Sequence, residues 1–83
     1  MASRNHAKLK ILETLRRDGP CSGSDLRLAA GIPGGSVYTG LYRLMDEGLV
    51  KATGEPYARV WTITQAGIDT AVALRNLHNA EPF

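Results

Sequence analysis

Apolar residues recur with two different periods along this chain. Ala7, Ile11, Leu12 and Leu15 fall at i, i+4, i+5 and i+8, which puts them on one face of a helix over about Asn5–Arg17. Lys8, Lys10, Arg16 and Arg17 lie largely outside that face. Asp18-Gly19-Pro20 ends the helix. Cys21 opens a short β segment. A second helix starts near Ser22, where Ser22 and Asp25 have capping-box spacing, and Leu26, Ala29 and Ala30 make its core side. Gly31 suits a left-handed C-cap, and Ile32-Pro33 makes a tight turn.

A third helix follows from Pro33 to Glu47. Gly34 and Gly35 are poor helix formers, so its first turn reads as loose, with Ser36 as the effective N-cap. Val37, Leu41, Leu44 and Met45 form its buried stripe, while Tyr38, Thr39, Tyr42, Arg43 and Asp46 point elsewhere. Gly40, in mid-helix, reads as a site where another backbone approaches closely, either helix 2 or a bound nucleic acid, or as simple sequence drift. Gly48 stops the helix. The period then changes from 3.6 to 2. Leu49–Thr53 and Arg59–Thr64 read as strands around a Gly54-Glu55-Pro56 turn, with Trp61 and Ile63 alternating with Thr62 and Thr64. A last helix runs from Thr64 or Gln65 to Leu77. Its apolar positions, Ile68, Ala71, Val72, Leu74 and Leu77, are too broad a set for one small core to cover. Residues 78–83 read as a frayed end.

Helix, turn, helix, then a β-ribbon is the order of a winged helix-turn-helix. The predicted fold class is therefore α+β: a three-helix core with a short β-hairpin wing and a C-terminal helix. Residues 1–83 form a single domain, with the helix-turn-helix at about 22–47, the wing at about 49–64 and the C-terminal helix at about 65–77.

At 83 residues the chain supports one thin core, and its stability leans on a partner subunit. No apolar run approaches the ~20 residues that span a bilayer. Met1–Lys10 has charge but no apolar segment after it, so it does not read as a secretory signal. A single cysteine excludes an internal disulfide. These features place the chain in the cytoplasm, with no membrane contact. The net charge of +2 is unevenly spread. Residues 1–17 carry Arg4, Lys8, Lys10, Arg16 and Arg17 against Glu13 alone. Residues 18–48 carry Arg27 and Arg43 against Asp18, Asp25, Asp46 and Glu47. A basic first helix suits phosphate, and equally a solvated helix face.

Enzyme readings find little support. His6 and His78 are far apart and lack metal-ligand spacing. Cys21 has no neighbouring His or Lys to activate it and reads as a small buried hydrophobe. Gly34-Gly35 lacks the frame of a phosphate-binding loop. No enzyme activity, metal or cofactor is predicted.

Three blocks of the chain resemble PadR-like transcriptional regulators, a winged-helix family. The first is Ile11-Leu12-x-x-Leu15 with Gly19-Pro20 and Gly23-x-Asp25-Leu26. The second is Gly31-Ile32-Pro33-x-x-Ser36-Val37-Tyr38-x-x-Leu41-x-Arg43-Leu44-x-x-Glu47-Gly48-Leu49-Val50. The third is Trp61-Thr62-Ile63-Thr64-Gln65-Ala66-Gly67. Together they span roughly residues 9–74. Several winged-helix groups share the register of the middle block. Gly40 stands where the family has a small residue such as Ala, the wing is short and only modestly basic, and no long dimerisation region follows helix 4.

The resemblance implies a sequence-specific double-stranded DNA-binding regulator, a repressor acting as a homodimer. The third helix enters the major groove. Ser36, Thr39 and Arg43 are its base-edge candidates, with Arg43 able to meet guanine bidentately or to pair within the helix with Asp46 or Glu47. Gly34 and Gly35 bare the helix start for a phosphate, or serve turn geometry. Tyr38 is a phosphate contact by the resemblance, and Tyr42 shares its side of the helix; the pair reads equally as two aromatic core residues with their hydroxyls in water. Lys51, Tyr57 and Arg59 lie on the wing, although Glu55 at its tip opposes phosphate. Arg4, Asn5 and Lys8 lie where helix 1 can clamp the backbone. Trp61 reads as core, or as a platform for a flat ligand. Ile68, Val72, Leu74 and Leu77 are the dimer candidates, with helix 1 as a second contributor. The alternative is a small winged-helix protein-interaction module, such as a phage or plasmid protein that blocks a host complex.

Overall fold

The computed structural model describes residues 4–55 and 58–80. Seven elements follow in order: α1 (Arg4–Asp18), β1 (Cys21–Ser22), α2 (Gly23–Ala30), α3 (Gly34–Asp46), β2 (Val50–Thr53), β3 (Val60–Ile63) and α4 (Gln65–Ala80). The strands form one antiparallel sheet in the order β1-β3-β2.

The apolar stripes decide the packing. Ile11, Leu12 and Leu15 of α1 meet Leu26 of α2 and Val37, Leu41 and Leu44 of α3 in one core. Trp61 closes that core from the sheet at 1% exposure. It lies in the central strand, opposite Cys21 on one side and Ala52 on the other.

Two helix ends follow sequence rules closely. The Ser22 hydroxyl accepts the Asp25 N–H at 3.2 Å, as the capping-box spacing predicts. Gly48, at φ 78°, ends α3 in a Schellman motif: its N–H donates to the Met45 carbonyl and the Leu49 N–H to the Leu44 carbonyl. Gly31 takes the expected left-handed cap of α2.

Five expectations need correction. Ser36 is not the cap of α3. The Val37 N–H already donates to the Pro33 carbonyl at 3.0 Å, so the helix opens at Gly34. Burial of the Val37–Leu41–Leu44 stripe outweighs the poor propensity of two glycines. Met45 is 38% exposed rather than core, because Leu41 and Leu44 fill the face towards α1. Ala29 points to solvent, leaving Leu26 and Ala30 as the buried side of α2. What approaches Gly40 is the Ile11 side chain of α1, whose Cδ1 would lie 2.7 Å from an added Cβ, and not α2. Finally, helical backbone continues past Leu77 to Ala80.

α4 is seated by its first turn. The Thr64 N–H donates to the Leu49 carbonyl at 3.0 Å, and the Thr64 hydroxyl donates to the Gly48 carbonyl and accepts the Gly67 N–H. Gly67 is pressed so closely on this junction that a Cβ would overlap the Leu49 carbonyl oxygen. Further along, Ala71 is buried and Arg75 lies 3.5 Å from Glu13 of α1. No helix among the described residues is long and apolar enough to cross a membrane.

Gly67 and Gly40, both within helices, therefore differ in their response to Ala. Gly67→Ala drives a methyl into fixed backbone and should cost about 3 kcal/mol or more. Gly40→Ala meets only the tip of a flexible side chain, and a gain of ~1 kcal/mol in helix propensity offsets the shift. Thermal melts of both variants check this, and equal losses of melting temperature would contradict it.

Candidate nucleic-acid interface

Burial of one face of α3 fixes what its other face presents. Gly35, Ser36, Tyr38, Thr39, Tyr42 and Arg43 are all exposed to solvent. Neither Gly34 nor Gly35 has positive φ, and a Cβ on Gly35 would meet open space. Turn geometry therefore does not demand glycine at Gly35, whose effect is a bare helix surface. The Thr39 hydroxyl donates to the Gly35 carbonyl at 2.9 Å and keeps its own oxygen free to accept.

A groove of about 410 Å³ runs between α1 and α3, bordered by Lys8, Ser36, Thr39, Arg43 and Glu47. Lys8 Nζ is 2.9 Å from the Glu47 carboxylate, a pair that links the two helices across this groove. Glu47 is thus engaged by α1 and not by Arg43. Among the described residues Arg43 forms no ion pair at all.

On the other flank, α3 faces the wing and the start of α2 across a smaller cleft of about 180 Å³. Tyr42 meets Trp61 edge-on, with ring centroids 5.6 Å apart and planes at 84°. Arg59 donates from Nη1 to the Tyr42 hydroxyl at 3.3 Å, and its guanidinium carbon lies 6.0 Å from the Trp61 ring centroid. These contacts fix the root of the wing against α3. Tyr38 lies over Gly23, where an added Cβ would come within 2.6 Å of its ring carbons. A glycine at the start of α2 is what lets that ring lie down.

The predicted residues therefore divide. The structure gathers Gly35, Ser36, Thr39, Arg43 and Lys8 around one groove, and Tyr38, Tyr42 and Arg59 around the other. Lys51 is exposed on the edge strand β2, opposite Thr62, and borders neither. Arg4 opens α1, but its side chain, those of Asn5, His6 and His78, and the whole of Tyr57 lie outside the described residues. The Lys8–Glu47 pair and the seat of Tyr38 on Gly23 were missed in the sequence reading. Gly23 stood in the quoted pattern without a physical role attached to it.

Charge along α3 is polar in sense. Its first turn carries no acid, whereas Asp46 and Glu47 close its C-terminal end. The helix dipole has the same sense, positive at the N-terminus and negative at the C-terminus. An anion is therefore drawn to the Gly34–Thr39 half. Cys21 sits apart from this surface. Its thiol donates to the Gly19 carbonyl at 3.2 Å, and burial, reinforced by Asp18 and Asp25, pushes its pKa up, away from the reactive thiolate.

No family model and no curated protein sequence matches the chain. Solved structures do. BpsR of Bordetella bronchiseptica, whose DNA binding is regulated by 6-hydroxynicotinic acid, aligns at a TM-score of 0.79 and 24% identity over 88% of this chain and 58% of its own. MarR of E. coli in its apo form aligns at 0.79 and 19% identity, over 90% of this chain and 57% of its own. The Zα domain of Carassius auratus PKZ, in complex with Z-DNA, aligns at 0.70 and 22% identity over 76% of this chain and 100% of its own.

The fold is a winged helix-turn-helix. In this winged helix α2 and α3 form the helix-turn-helix and β2–β3 the wing. The chain spans under three-fifths of the BpsR and MarR chains but the whole of the Zα domain. PadR-like proteins are not singled out by these likenesses.

The aromatic contact at the wing root has a measurable weight. Tyr42→Ala should lower stability by about 0.5–1.5 kcal/mol through loss of the edge contact, beyond the apolar area that it exposes. Urea unfolding followed by the emission of Trp61, the one tryptophan, reads this directly. An unchanged midpoint would show that the pair contributes nothing.

Proposed function

We propose that this winged helix binds double-stranded DNA through α3 and acts as a transcriptional regulator, a repressor working as a homodimer. The observation that carries the reading is the exposed face of α3. It joins an acid-free N-terminal half to an Arg43 that forms no ion pair among the described residues, with the Tyr38 and Tyr42 hydroxyls at its edge. A helix of this kind enters the major groove N-terminal half first. Arg43 then reads guanine, Ser36 and Thr39 meet base edges or phosphate, and Tyr38 donates to a phosphate. Arg59, tied to Tyr42, sets the wing against the neighbouring backbone and is only partly free to reach it. The PadR-like blocks of the sequence and the likeness to DNA-binding BpsR both support this reading.

The dimer is proposed through α4. Leu77 is 58% and Val72 41% exposed, while Ile68 and Leu74 are half-buried beside them. Two copies joined there would present their α3 helices to half-sites about one turn apart, ~10 bp.

Fluorescence anisotropy against a random-site duplex pool, at two salt concentrations, tests DNA binding, and a left-handed duplex belongs in the set because the Zα domain binds one. An enriched palindrome whose affinity falls steeply with salt is expected. No binding at low salt would move the assignment to a protein-interaction module. Arg43→Ala should cost ~1–3 kcal/mol at the selected site and much less on unrelated duplex. Equal losses would make Arg43 a phosphate contact. Leu77→Asp should give monomers in sedimentation without unfolding, since Leu77 is the most exposed of the four candidates. An unchanged profile would refute the α4 interface.

A further inference from the structure

Glu47 occupies a position that helix stability does not favour. It follows Asp46 at the C-terminal end of α3, where the dipole is already negative and an acid is unfavourable. Its partner, Lys8, comes from a residue 39 positions earlier in the chain. Both side chains are open to solvent, at 26% for Lys8 and 47% for Glu47, and an exposed pair of this kind adds little to folding. Helix packing does not need the pair either, since Ile11, Leu41 and Leu44 already join α1 to α3.

What the pair does control is the groove beneath it. Apart from Lys8, the residues along this groove include Arg43, Ser36 and Thr39. Their side chains supply the groups that hold a DNA phosphate: two cations, Lys8 of α1 and Arg43 of α3, and two hydroxyls. Glu47 places a carboxylate at the same rim and neutralises one of the two cations. We propose that the α1–α3 groove is a backbone-phosphate subsite muted by Glu47, which ties Lys8 away from DNA and so limits sequence-independent binding. This rests on the DNA reading above.

The test is the affinity of purified wild type, Glu47→Gln, Lys8→Met and the double variant for one unrelated 20-base-pair duplex, at 50 and 200 mM salt. Glu47→Gln frees Lys8 and adds one phosphate contact. It should bind severalfold more tightly at low salt. At ~0.9 in the salt slope per contact, that gain should shrink about 3.5-fold on the fourfold rise in salt. Lys8→Met alone leaves the Glu47 carboxylate unpaired at the rim and should weaken binding, and the double variant should lose the gain. Thermal melts of all four proteins read folding separately. Glu47→Gln binding with wild-type affinity and slope would overturn the latch. A gain that survives in the double variant would overturn the role of Lys8. If neither wild type nor Glu47→Gln binds duplex at 50 mM salt, the DNA reading fails, and the subsite with it.

Discussion

Trp61 is the residue on which the rest of the structure depends. A three-stranded sheet with strands of two to four residues has little cohesion of its own, and its edges carry few hydrogen bonds. Trp61 sits in the central strand, paired across both ladders, and buries its ring against the helical core. Trp61 is the largest side chain anchoring the sheet to the helical core, joined there by Val50 of β2 and Cys21 of β1. The same ring takes the edge of Tyr42 and lies near the Arg59 guanidinium. One residue therefore holds the fold together and sets the angle between α3 and the wing. The functional surface is an outward extension of the core.

That surface has a direction. α3 buries Val37, Leu41 and Leu44, so its opposite face must be wet, and the sequence fills it with hydroxyls, two tyrosines and an arginine. Acids are confined to its C-terminal end, in line with the helix dipole. The field along the helix favours an anion at one end and resists one at the other. The two grooves that flank α3 differ in kind. The one towards the wing is aromatic and braced. The one towards α1 is lined by small residues and charge, with the Lys8–Glu47 pair across it.

Much of this was legible in the sequence because it is local. Ser22 with Asp25, Gly31, Gly48 and the 3.6-to-2 change of period after Gly48 each act over a few residues, and each marks an element within a residue of where the structure has it. What escaped is long-range. Lys8 and Glu47 meet only once α1 and α3 have packed. Gly40 accommodates Ile11, and Gly67 accommodates the Leu49 carbonyl, for reasons set by tertiary approach and not by turn chemistry. Met45 and Ala29 were read as core because periodicity assigns a face but not its width, and in so small a domain Leu41, Leu44 and Leu26 already fill it. Among the candidate site residues, the exposure of those on α3 is legible from the helical stripe, since whatever is not buried faces out. The engagement of Arg59 with Tyr42 was not, because it depends on where the wing folds back.

The most direct measurement of the central claim, that the exposed face of α3 with the root of the wing is a DNA interface, is amide chemical-shift mapping during titration with duplex DNA. The account predicts that the largest perturbations cluster at Gly35–Arg43 and at Arg59–Trp61, with α4 unmoved. Perturbations centred on Val72–Leu77 or on Leu28, with α3 silent, would contradict it.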